Sequence, residues 1–217
     1  MLQRDYILRM VEQLVQALAG IAGRRKAGEA TRFEQELDDF CKSAFGMPLD
    51  LLAGVPDDEL QKLFTRDRLP DYDRIALLAR VLWERCRLDE AQGPTGPRAR
   101  KALRLLAAVG RRTDPRSMEA HREAFVALVS AFEKAPPTST ILHDLWLSCE
   151  ALGLYARAED KLYALDALEP LVHAAPGEAF YRRLLENDDD NLEAGGLPRD
   201  EVEDGLTRWI ERSRRHG

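Results

Sequence analysis

Residues 139–170 read STILHDLWLSCEALGLYARAEDKLYALDALEP, and this stretch decides the fold. Leu142, Leu145, Trp146, Cys149 and Leu152 recur at three- and four-residue steps, the spacing that lines up side chains on one face of an α-helix. Gly153 follows, and glycine enters the left-handed turn at a helix C-terminus without a Cβ clash. Two residues on, Tyr155 opens a second apolar stripe through Ala158, Leu162 and Leu165, and Pro170 closes it. The pattern predicts two antiparallel helices joined by a tight turn. They should meet closely at Ala158, whose side chain is a single methyl group.

Working outward, helical spacing continues on both sides. Upstream, Asp114 and Pro115 read as the start of a helix reaching Lys134, with Ala124, Leu128, Ala131 and Phe132 inward. Before it, Arg98 to Val109 forms a helix, Gly93 to Pro97 a loop, and Asp73 to about Ala91 a long helix through Ile75, Leu78, Leu82 and Cys86. Short helices are expected at Met47–Gly54 and after Pro56, and a longer one over Thr31–Ala44. At the N-terminus, Ile7, Val11, Leu14, Leu18 and Ile21 step by four and three, a heptad seam. Its apolar arc is wider than one buried face requires, so this helix is expected either to cap the fold or to pair with a second copy as a homodimer.

Downstream, Pro176 and Gly177 are expected to break the chain before a helix over Glu178–Glu186. Asn187 to Gly196, NDDDNLEAGG, reads as a solvated acidic loop, and Pro198 to about Arg214 as the last helix. No stretch alternates polar and apolar residues over strand length, so the fold class is all-α. The expected organisation is an N-terminal helical segment, residues 1–69, followed by a repeat-like helical segment, residues 70–217.

The central hairpin resembles the tetratricopeptide repeat. Gly153, Tyr155, Ala158 and Pro170 stand at that family's glycine, aromatic, alanine and proline places. Ala124, Leu128, Ala131 and Pro136 echo Ala158, Leu162, Leu165 and Pro170 one period of 34 residues upstream, and a period of this size marks a helical solenoid. The echo is degenerate: Glu119 and His121 replace the glycine and the aromatic. The resemblance implies antiparallel helix pairs stacked as a short solenoid. It also implies a peptide-binding inner face on the first helix of the pair, at Thr140, His143, Leu147 and Glu150. The lysine and asparagine that clamp a terminal carboxylate in the best-known version are missing there, so that ligand is not expected. The opening RDYILRMVEQLVQAL and the later LGLYARAEDKLY also resemble a bacterial helical family of unknown function, which implies no activity.

With 217 residues and a net charge of −6, the chain is expected to be soluble, without the basic face that nucleic-acid binding needs. No run approaches the roughly 20 apolar residues of a membrane span, and the charged start at Arg4 and Asp5 does not read as a signal peptide. Three distant cysteines, Cys41, Cys86 and Cys149, sit on apolar stripes, which suits a reducing cytoplasm. No phosphate-binding glycine loop, GxSxG elbow or HExxH motif is present. In the run Asp188–Asp190, Leu192 stands where a calcium loop needs its third ligand. His121, His143 with Asp144, and Asp166 resemble the ligand set of all-helical metal phosphohydrolases of the HD type, which is the alternative enzymatic reading. The preferred expectation is a cytoplasmic, non-catalytic protein-interaction scaffold, without cofactor or metal, whose protein or peptide partner the sequence does not name.

Overall fold

The protein is seen here in a computed structural model, which describes residues 9–10, 29–66, 69–88, 93–112 and 115–216. Among these residues the structure is eleven α-helices, one 3₁₀ turn and a two-stranded ladder of two residues per strand. The chain divides into two compact units, Met1–Ala131 and Phe132–Gly217.

In the first unit, α1 (Glu29–Phe45) turns Leu37, Cys41, Ala44 and Phe45 inward. Two short helices follow, α2 (Leu49–Gly54) and α3 (Asp57–Leu63). Pro56 stands one residue before α3, and Asp57, Asp58 and Glu59 fill its first turn, where carboxylates favour the helix dipole. Strands β1 (Thr65–Arg66) and β2 (Leu69–Pro70) pair antiparallel, Thr65 opposite Pro70 and Arg66 opposite Leu69. This ladder is too short to leave a polar–apolar alternation in the sequence. Next come α4 (Tyr72–Leu88), α5 (Pro97–Val109) and α6 (Pro115–Phe132). Ile75, Ala76, Leu77, Leu78, Ala79, Val81 and Leu82 are all buried. Thus α4 is apolar well beyond the expected stripe, as a helix enclosed by its neighbours must be.

The boundary expected near residue 69 falls inside this unit, because contacts tie the two sides of it together. Arg74 donates from Nη2 to the Ala44 carbonyl at 2.8 Å. Lys101, on α5, donates from Nζ to the carbonyls of Ala53, at 3.0 Å, and Val55. A buried ammonium thus satisfies the last carbonyls of α2, which the helix itself leaves unpaired.

In the second unit, α7 (Ser139–Ala151) and α8 (Tyr155–Leu168) form the expected hairpin. Thr138 opens α7, its hydroxyl accepting from the Ile141 N–H at 3.3 Å. Gly153 has φ +68°. The Leu154 N–H reaches the Cys149 carbonyl at 2.9 Å, and the Gly153 N–H reaches that of Glu150 at 3.1 Å. These two bonds satisfy α7's terminal carbonyls as the chain turns. Ala158 is fully buried, and so are Leu162 and Leu165.

Two downstream expectations are corrected. Helix α9 is Ala174–Leu184 and runs through Pro176 and Gly177 instead of starting after them. Pro176 is tolerated because it lies in the first turn, where N–H groups have no helical acceptor. Gly177 is needed because a Cβ there would land on the Trp209 ring. The acidic stretch is not a loop throughout: Asp189–Ala194 is a helix, α10. Asp188 caps it by accepting from the Asn191 N–H at 2.8 Å. Leu192 and Gly195 are buried, and the Gly195 carbonyl accepts from the Ala156 N–H at 3.1 Å.

Helix α11 (Arg199–His216) completes the unit. Trp209 Nε1 donates to the Ala174 carbonyl at 2.9 Å and Arg199 Nη1 to that of Leu185 at 3.2 Å, so α9 and α11 run antiparallel. Across the pairs the order is parallel. On α7 and α9, the rings of Trp146 and Phe180 meet at 6.0 Å and Glu150 meets Arg183 at 2.8 Å. On α8 and α11, Tyr163 meets Trp209 at 5.4 Å and Asp166 meets Arg212 at 2.6 Å. Trp146 and Phe180 stand 34 residues apart and Tyr163 and Trp209 stand 46 apart, the surplus being the segment that carries α10.

Candidate functional site

The four residues expected on the inner face of α7 lie at steps of three and four along it. They differ in exposure. Thr140 is exposed, His143 and Leu147 are half-buried, and Glu150 is buried. Glu150 is spoken for: its two carboxylate oxygens accept from Nε and Nη2 of Arg183, each at 2.8 Å. This fork holds the guanidinium more firmly protonated than usual, the bond to Glu150 outweighing the opposing effect of burial. Glu150 therefore joins α7 to α9, while Thr140, His143 and Leu147 keep an accessible face.

Around His143 three elements converge. Its ring stands edge-on to Trp146 at 5.9 Å and lies 6.0 Å from the ring of His173. Its Nδ1 is 3.8 Å from Asp144 Oδ1. His173 precedes α9 as its N-cap residue, and its Nε2 lies 3.3 Å from Glu169 Oε2, at the end of α8. The Glu169 carboxyl is held below the usual carboxylate range, first by the Ser139 hydroxyl and then by His173. Ser139, Glu169 and His173 were not expected at a site. The legible signal was the four-residue step from Glu169 to His173. What hid the cluster was that its parts come from three separate helix ends.

The residues of the alternative enzymatic set are placed as follows. His121, in α6 of the first unit, is fully buried and packs on Phe125 at 5.4 Å. Neither ring nitrogen has a hydrogen-bond partner. Burial, reinforced by the nearby Arg80 cation, pushes its pKa down to about 3. Asp166, in the second unit, pairs with Arg212 at 2.6 Å and accepts from the Leu171 N–H at 3.3 Å. Cys41, Cys86 and Cys149 are all buried. Burial pushes the thiols of Cys41 and Cys149 up to about 12, far from the thiolate that nucleophilic chemistry needs. The seam residues Ile7, Val11, Leu14, Leu18 and Ile21 lie outside the described residues. Among the described residues, no helix is long and apolar enough to cross a membrane.

A family model described as a family of unknown function (DUF6483) matches residues 1–213. No curated protein matches the chain. No solved structure matches it either.

Proposed function

The chain belongs to this DUF6483 family of unknown function, and from its own geometry we propose that it is a non-catalytic protein-interaction scaffold built on a short tetratricopeptide-like solenoid. The carrying observation is the order of helices in the second unit. Two antiparallel pairs follow one another, with α7 parallel to α9 and α8 parallel to α11. Stacking pairs in the same sense is how helical repeats build a continuous face from their first helices. On that face Thr140, His143 and Leu147 remain accessible and would receive an extended segment of a partner protein, while Glu150 holds the helices in register. The same reading has the protein in the cytoplasm, supported by three buried cysteines far apart in sequence, and paired with a second copy through the N-terminal seam.

The test is quantitative cross-linking capture from the source cells. The wild-type chain is compared with a Thr140→Glu, Leu147→Glu double variant whose circular dichroism matches wild type. The expected result is a partner retained by the first and lost by the second. A capture profile identical for the two proteins removes this face from the function.

A further inference from the structure

Within the second unit, the end of α8, the α8–α9 connection and the last turns of α11 line a cleft of about 400 Å³. That volume falls in the range of small-molecule sites, roughly 300–1,000 Å³, which pair mostly apolar walls with a few placed polar groups. Here Ala167, Pro170, Leu171 and Trp209 are apolar walls, and the ion pair of Asp166 with Arg212 supplies the charge. The Asp166 side chain is 7% exposed, and its two oxygens do two jobs. Oδ2 meets Arg212 Nε at 2.6 Å, and Oδ1 accepts from the Leu171 N–H at 3.3 Å. The guanidinium carbon of Arg212 stands 5.8 Å from the Tyr163 ring centre, an aromatic face that attracts a cation. With Nε and the ring face taken, the two Nη groups are the donors left for a ligand, on a side chain 42% exposed. Paired N–H donors in one plane match a carboxylate. Leu171 points the same way from a separate observation. Among the described residues it is the one non-glycine residue with positive φ, +69°. Glycine adopts that backbone at no steric cost and leucine does not. The turn alone therefore does not account for a leucine, whereas a side chain set half-buried against the cleft does. Backbone strain of this kind concentrates at ligand clamps.

We propose that this cleft binds a small organic acid, its carboxylate on the Nη groups of Arg212 and its apolar chain against Leu171 and Trp209. One cation half offset by Asp166 suits a single negative charge rather than a polyanion. Asp166 is a positioning residue: it holds the guanidinium on one side and the Leu171 turn on the other. None of these residues belongs to the Thr140, His143 and Leu147 face, so the cleft and the scaffold reading are tested separately.

The experiment is a titration of the full chain with octanoate, read by the nitrogen-15 indole resonances. The Trp209 signal should move in a saturable way while those of Trp83 and Trp146 stay in place. Octan-1-ol, which lacks the charge, and acetate, which lacks the chain, should each bind at least about 10-fold more weakly, the worth of one hydrogen bond to a charged group. Arg212→Gln should lose as much. Leu171→Gly should also weaken octanoate while leaving helical circular dichroism unchanged, since glycine fits the backbone there. The octan-1-ol comparison needs no variant, so it tests the charge even if Arg212→Gln fails to fold. No movement of the Trp209 signal at millimolar octanoate overturns the proposal. So does octan-1-ol or acetate binding as tightly as octanoate, or an affinity unchanged in both Arg212→Gln and Leu171→Gly. A leucine-ended hexapeptide binding at least about 10-fold more tightly than octanoate overturns the small acid in favour of a protein C-terminus.

Discussion

His121 is enclosed in α6 with no partner for either ring nitrogen, and this has a measurable acid signature. In the unfolded chain an imidazole takes up its proton near pH 6.5, whereas folded His121 does so only near 3, because burial and the Arg80 cation oppose the charge. Below pH 6.5 the unfolded state therefore holds a proton that the folded state refuses. Stability present above pH 6.5 is lost as pH falls toward 3, at up to about 1.4 kcal/mol per pH unit. His121→Leu should flatten that decline, which urea midpoints at pH 7 and pH 5 will measure. An equal loss in variant and wild type would rule out His121 as its source. Glycine makes a second case at this scale. A Cβ at Gly195 would collide with the Tyr155 ring and stand 2.8 Å from the Gly153 carbonyl oxygen, whereas one at Gly54 would meet nothing within 4 Å. Gly195→Ala should cost roughly 1–3 kcal/mol through forced repacking. Gly54→Ala should be neutral or stabilising by up to about 1 kcal/mol, since it restricts the unfolded chain. Paired thermal melts distinguish the two.

Between helices, α7 and α8 pack as a pair, and Ala158 of α8 is fully buried. Ala158→Leu should destabilise by roughly 1–3 kcal/mol through overpacking, and an unshifted melting curve would deny the close crossing. This hairpin was legible in the sequence because two apolar stripes and one glycine agreed on the same answer. Every stripe residue from Leu142 to Leu165 named for it is buried. The start of α9 was not legible. Pro176 and Gly177 look like breakers, and only the packed structure reveals that the proline sits in a permissive first turn and the glycine makes room for Trp209. Helix α10 was hidden by its charge: three aspartates suggest solvent, but Asp188 serves as the cap and Leu192 as the anchor. Lys101 was hidden differently. Its acceptors, Ala53 and Val55, lie more than forty residues away, and no local pattern can announce such a bond. The candidate face shared that fate in part, because the pairing of Glu150 with Arg183 spans 33 residues.

At the scale of the whole molecule, the N-terminal seam bears on assembly. If its wide apolar arc seats a second copy, replacing Ile7, Leu14 and Ile21 by Asp should halve the mass seen by light scattering while leaving helical dichroism nearly intact. A monomeric wild type would end the dimer reading. The division into Met1–Ala131 and Phe132–Gly217 bears on folding. The second unit owns an aromatic interior: Trp146, Phe180, Tyr181 and Trp209 are all buried in it and touch in sequence, ring to ring. A peptide that carries its own nucleus does not depend on the rest of its gene. Residues 132–217 expressed by themselves should accordingly refold from denaturant in a single sigmoidal transition, as an autonomous miniature of helical architecture.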